Sequence, residues 1–222
     1  MDWSTPIDAY CERLGPAFWA EPLNALTNLA FLVAAFVMWQ RAAGVIAARL
    51  LCVILALIGI GSFLFHTFAT PWAGMADVVP IAVFILVYLF LVNRDFVGFR
   101  GWKLWGATLA FFPYAAVMVP ILNAIPFLRI SSFYWTVPIL LGIYGFALRA
   151  RMPETVRGMW IGAGILALSI TLRSLDAPLC AVFPVGTHIF WHLLNGVMLG
   201  WMIQVYLRAM QGAGLGKNRA PR

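Results

Sequence analysis

Charge is what this sequence has least of. Asp, Glu, Lys and Arg together make up 10% of its 222 residues, against 63% hydrophobic. A water-soluble globule of that composition has too few polar side chains to coat its surface, which leaves an integral membrane protein. Histidine is scarcer still, with three copies, and so is cysteine, with Cys11, Cys52 and Cys180. No two of these cysteines fall at the short spacings of a metal or redox motif. Cys52 lies in an apolar run and reads as a small apolar residue. A disulfide between Cys11 and Cys180 stays open. There is no basic segment ahead of an apolar stretch near the start, so a cleaved signal peptide is not expected. The net charge of +7 does not imply nucleic acid, because no Lys or Arg sits in a motif that could read bases. No apolar run carries repeated charges along its length, which argues against a channel or transporter.

What is present is a series of apolar runs, over residues 22–40, 45–68, 77–93, 102–122, 131–148, 156–175 and 187–207. Each is near the ~20 residues that a helix rising ~1.5 Å per residue needs to cross the hydrocarbon core. The polar breaks are short. The expectation is an all-α, polytopic fold of seven transmembrane helices, with 1–222 as a single domain. Seven crossings place Arg13, Arg129 and Arg173 on one side of the bilayer and the other twelve basic residues on the opposite side. Basic residues concentrate in the cytoplasm. The N-terminus, with its acidic segment 1–21, is therefore expected to be extracytoplasmic, and the C-terminus, with a basic tail over 208–222, cytoplasmic. Many of the ten Trp, among them Trp19, Trp102 and Trp135, fall at run ends, as an interfacial belt requires.

The histidines organise the rest. His188 and His192, in HIFWHLLN, are four apart and share one helix face; His66 ends the run GIGSFLFH. In the expected topology all three lie towards the extracytoplasmic leaflet, with Asp77, read as opening the third run, at the same level. Ionisable groups inside an apolar span are costly and by default functional. Three neutral imidazoles with an open fourth position describe a catalytic zinc site, although nitrogen ligands also admit iron, copper or nickel. Ser62 precedes His66 by four residues and presents its hydroxyl on the same face. Asp77 is a candidate acceptor for an imidazole N–H or base for a water. Each residue alone has an ordinary alternative: an interfacial histidine, a serine bonded back to its own helix, an aspartate capping a helix start. Jointly they favour a metal site.

Ser62 and His66 as S-x-x-x-H, Asp77 eleven residues later, and His188 and His192 as H-x-x-x-H in the last run resemble the alkaline ceramidases. These belong to a seven-helix hydrolase superfamily that includes the adiponectin-type receptors. Arg173, Asp176 and Cys180 as R-x-x-D-x-x-x-C, with YCE and AEPLNALTN near the N-terminus, extend the likeness along the chain. The resemblance implies zinc on His66, His188 and His192, with Asp77 taking a proton from the attacking water and Ser62 supporting the metal site and the oxyanion. The implied reaction is hydrolysis of the N-acyl bond of a ceramide-like membrane lipid to a fatty acid and a sphingoid base. The resemblance further implies a calcium site of the pattern D-W-C-E-x-N plus a later Glu, for which Asp8, Glu12 and Glu21 are the candidates. Tyr10 stands at the Trp position, Ala9 at the Asp and Leu14 at the Asn, so oxygen ligands are displaced or missing. The alternative for these residues is an acidic extracytoplasmic tail. Two other functions stay open: hydrolysis of another membrane lipid, and a lipid-responsive receptor with structural zinc. Such a receptor would need a fourth protein ligand, for which Cys180 is the one candidate. The bilayer and a lipid substrate are the expected partners, with no nucleic acid and no protein partner inferred.

Overall fold

The computed structural model describes residues 2–217, with side chains over 2–212. Of the basic tail expected over 208–222, residues 218–222 lie outside the described residues. Among the described residues every regular element is helical. In chain order these are α1 (Pro22–Thr27), α2 (Leu29–Arg41), α3 (Ile46–Phe68), α4 (Pro71–Leu91), which widens into a π-helical segment (Val92–Val97), α5 (Gly101–Leu109), α6 (Phe111–Asn123), α7 (Pro126–Arg129), α8 (Ser132–Leu148), α9 (Pro153–Ser174), α10 (Asp176–Leu179) and α11 (His188–Lys217).

Among the described residues, five helical stretches are long and apolar enough to cross a membrane: Pro22–Arg41, Ile46–Phe68, Pro71–Val97, Gly101–Asn123 and Pro153–Ser174. The apolar helix Ser132–Leu148 is shorter, and α11 runs for 30 residues. Large apolar side chains such as Val33, Phe36, Val53, Leu57, Val117 and Phe146 point outwards along these stretches. In water such a surface would aggregate; against lipid tails it is neutral. The chain is a polytopic membrane protein.

Between helices, small residues set the approach, as lipid-embedded packing requires. A methyl group on Gly61 of α3 would collide with the backbone carbonyl of Ala76 in α4. Gly196 of α11 packs closely against Ala30 of α2, where an added methyl group would sit 3.0 Å from the Ala30 backbone. These two contacts bring α3, α4, α2 and α11 together at one end of the bundle. Behind them, Leu51, Leu55, Ile58, Met159, Ile170 and Ile203 close an apolar core.

The third run starts earlier than its composition suggests. Pro71 occupies the first turn of α4, preceded by Thr70 in extended conformation. Proline is pre-organised for that position and lacks only an N–H that would be unpaired there anyway. Asp77 therefore does not open a helix and does not cap one; it sits inside α4. The connection from α3 is tight, with Ala69 in the left-handed region (φ 45). Its carbonyl accepts a hydrogen bond of 2.7 Å from Ile7 N–H, which ties the N-terminal segment to this end of the bundle.

Candidate metal centre

The site is built where four chain segments meet. His66 sits in the last turn of α3, and His188 and His192 occupy the first two turns of α11. All three are buried, with exposures of 1%, 2% and 0%. One ligand nitrogen from each lies within 4.8 Å of the others. Ring centroids are separated by 4.6 Å (His66 to His192), 4.7 Å (His188 to His192) and 5.1 Å (His66 to His188).

The hydrogen bonds decide what these rings can do. His66 Nδ1 is 2.6 Å from a Glu21 carboxylate oxygen, which can only accept, so Nδ1 carries the proton and Nε2 a lone pair. His192 Nδ1 is 2.8 Å from the Thr27 hydroxyl, whose own hydrogen is directed at the carbonyls of Leu23 and Asn24. His192 Nδ1 therefore donates as well, and its Nε2 is left as acceptor. His66 Nε2, His188 Nδ1 and His192 Nε2 are buried and have no hydrogen-bond partner. Three buried unpaired nitrogens would cost about 1–3 kcal/mol each. A metal cation with nitrogen affinity removes that cost, and a carboxylate behind one imidazole is the usual way such a ligand is oriented. The residues present fit zinc.

The N-terminal segment folds over this centre rather than trailing from it. Tyr10 stacks on His188 with ring centroids 3.7 Å apart. Burial pushes the Tyr10 phenol above its usual range, so it stays protonated beside the imidazoles. Cys11 and Cys180 form a disulfide. The Asp176 carboxylate accepts from Cys11 N–H at 3.0 Å and from His188 N–H at 2.8 Å, so it both anchors the segment and caps the start of α11. Arg13 donates to Glu21 through Nε and to the His66 carbonyl through Nη2 at 3.0 Å. The pull of burial on Glu21 is upward, but the bonds to His66 and Arg13 outweigh it and hold the carboxyl below its usual range.

Ser62 is buried one turn before His66, and the collision point at Gly61 sets it against the start of α4. The Gly61 backbone beside it abuts the Asp77 N–H, which brings Asp77 to the level of Ser62 and His66. Ser62, His66, Asp77, His188 and His192 thus share one end of the bundle. Arg173 lies beside them over the rings of Tyr134 (5.2 Å) and Trp191 (5.5 Å), with Nη1 bonded to Ser131 at 2.8 Å.

The three acidic candidates for calcium do not come together. Asp8 is exposed, Glu12 accepts from the N–H groups of Leu23 and Asn24 at the start of α1, and Glu21 is committed to Arg13, His66 and Asn24. Among the described residues, His66, His188 and His192 form one group of metal-ligating type, and Cys11, Asp176 and Cys180 the other. In the second group both sulfurs are used by the disulfide. A hard cation needs six to eight oxygens; the residues present do not fit calcium.

The model of the ceramidase family matches residues 9–218 of the 222. The chain belongs to the ceramidase family. No curated protein matches it. Membership gives the short N-terminal motifs a structural meaning. AEPLNALTN contains Glu21 and Thr27, which hold two of the imidazoles, and YCE contains the ring stacked on the third. The ceramidase motif R-x-x-D-x-x-x-C places a cation beside the site, caps the helix carrying His188 and His192, and closes the disulfide. From the sequence, Glu21 is a calcium candidate or part of an acidic tail, and Arg13 is one of three basic residues expected on the extracytoplasmic side. Only pairing across 45 and 53 residues reveals what they touch.

Proposed function

We propose that this protein is a zinc-dependent intramembrane amidase that hydrolyses the N-acyl bond of ceramide-like lipids to a fatty acid and a sphingoid base. The observation that carries it is three buried histidines, each with an unpaired ring nitrogen, whose ligand atoms lie within 4.8 Å of one another in a chain of the ceramidase family. His66, His188 and His192 hold the ion, which when bound polarises the amide carbonyl and acidifies water. Asp77 accepts the proton of the attacking water on its carboxylate, and Ser62 orients that carboxylate and supports the oxyanion. Glu21 and Thr27 fix the tautomers that leave the ligand lone pairs free. Among the described residues the ligand group stops at three, which favours an open catalytic position over a closed structural one.

An apolar cavity supports a lipid substrate. It is lined by Ile58, one turn from Ser62, and Ile81, one turn from Asp77, and it continues along Phe84, Trp191 and Leu199. Such a slot takes an acyl chain, with the amide at its mouth beside the metal. The expected topology, seven crossings with this end outside, draws support from two features. The basic residues divide twelve to three, and the Cys11–Cys180 disulfide belongs to an oxidising compartment.

The test is a panel of a ceramide, an N-acyl amine without a sphingoid base, and a phospholipid, presented to purified protein in mixed micelles. Fatty-acid release from the ceramide, abolished in a His188→Ala, His192→Ala double variant that lacks zinc, is the expected result. Release from the phospholipid alone would move the activity to ester hydrolysis, and a zinc-loaded protein inert on all three would end the proposal.

A further inference from the structure

The calcium site implied by the ceramidase resemblance does not fit this chain, and its place has another occupant. Arg13 is 5% exposed, an unusual position for a guanidinium, and every one of its interactions is with oxygen. Nε meets one oxygen of Glu21, Nη1 donates to the Gly15 carbonyl at 2.9 Å, and Nη2 donates to the His66 carbonyl at 3.0 Å. One carboxylate and two carbonyls is the kind of oxygen set a hard cation gathers, here gathered by a side chain. The residues flanking it cannot add ligands. Ala9 has no oxygen in its side chain, and Leu14, at 93% exposure, points away.

We infer that the Arg13 guanidinium is the built-in substitute for a calcium ion, so that the zinc centre of this protein is organised without calcium. The geometry explains why a cation is needed. His66 lies in the last turn of α3, where backbone carbonyls lack helical partners and the helix dipole is negative. Arg13 satisfies the His66 carbonyl directly and, through the Glu21 carboxylate, orients the His66 imidazole. It thus grips the same ligand at its backbone and at its ring. Removing the positive charge leaves a buried carboxylate without its ion-pair partner and with Asn24 Nδ2 alone to help His66 hold it in place. Arg13 is a positioning residue; it contacts neither metal nor substrate.

The inference rests on the zinc reading for one arm of its test and not for the other. In the first arm, full-length protein in detergent is heated with millimolar calcium or with a calcium chelator, and terbium luminescence is used as a direct binding probe. The expected result is one melting temperature in both conditions and no terbium signal that calcium displaces. A calcium-dependent rise in melting temperature, or displaceable terbium, would overturn the inference whether or not zinc is present. In the second arm, zinc loss to a competing chelator is followed in wild type, Arg13→Gln and Arg13→Lys. Loss faster by roughly 10–100-fold is expected in Arg13→Gln. An intermediate effect is expected in Arg13→Lys, which keeps the charge but not the three-way fork. Asn93→Ala, at the far end of the bundle, serves as a destabilised control that keeps zinc. Retention by Arg13→Gln equal to wild type would also overturn the inference. Should Arg13→Gln fail to fold, the calcium arm on wild type decides alone. A wild type without zinc would refute the proposed function and leave the calcium arm standing.

Discussion

Two polar clusters are buried in this bundle, at opposite ends, and they differ in one respect. At one end Asn93, fully buried, donates to Thr108 at 3.3 Å and accepts from Tyr144 at 2.7 Å; nearby, Asp95 accepts from Arg94 at 2.8 Å and from Tyr206 at 2.7 Å. None of these groups is left without a partner. At the other end Arg13 pairs with Glu21, Glu21 and Thr27 hold the rings of His66 and His192, and Asp176 holds the His188 backbone, while one ring nitrogen of each histidine stays unpaired. Burial alone does not separate structure from function in a membrane protein. A network that closes on itself holds helices together, whereas one that leaves lone pairs converging on a point is built around something else.

The comparison can be broken by mutating the two ends in parallel, and the largest effect is expected at Asp77. Asp77→Asn preserves shape, but it cannot take up a proton. Hydrolysis of an N-acyl sphingoid lipid should fall by about 10²–10⁴-fold with zinc content unchanged. Near-normal turnover by a folded, zinc-loaded variant would remove Asp77 from the chemistry. Next comes Glu21→Gln, which can still accept from His66 but carries no charge. Zinc affinity, read by chelator competition, should weaken by roughly 10–100-fold, with catalysis by the residual loaded fraction largely retained. A variant that binds zinc as tightly as wild type would show that the carboxylate merely packs. The smallest effect on the metal is expected from Asn93→Ala. It leaves Tyr144 and Thr108 without their partner and should lower stability by about 1–2 kcal/mol. Zinc content and turnover per zinc should not change; loss of metal there would mean the two ends are coupled.

Much of the metal end was legible in the sequence for a simple reason. Spacing within one helix, as in His188 and His192, is local, and the level of His66 follows from counting residues along alternating helices. Asp77 was expected to open its helix and instead lies inside it. Its run looks apolar only from there onwards, whereas Pro71 starts the helix by stereochemistry rather than by hydrophobicity. The N-terminal segment was least legible. Its acidic residues stayed divided between a calcium site and a tail, because acidic composition says where a segment is tolerated, not what it touches. Glu21 meets His66, Arg13 meets the His66 carbonyl, and Asp176 meets both Cys11 and His188 through pairings no periodicity encodes. The satisfied cluster around Asn93 was invisible for the same reason: a lone asparagine in an apolar run gives no sign of the tyrosine that will bond it.

The central claim is that the three histidines hold the ion on which amide hydrolysis depends. It is tested most directly by stripping metal from the folded protein and returning zinc in steps, with bound zinc and fatty-acid release from a ceramide measured on each sample. Release rising in proportion to zinc, and saturating near one ion per chain as a three-histidine catalytic site requires, is the predicted result. Full hydrolysis by the stripped protein, or zinc binding that leaves release at background, would contradict it.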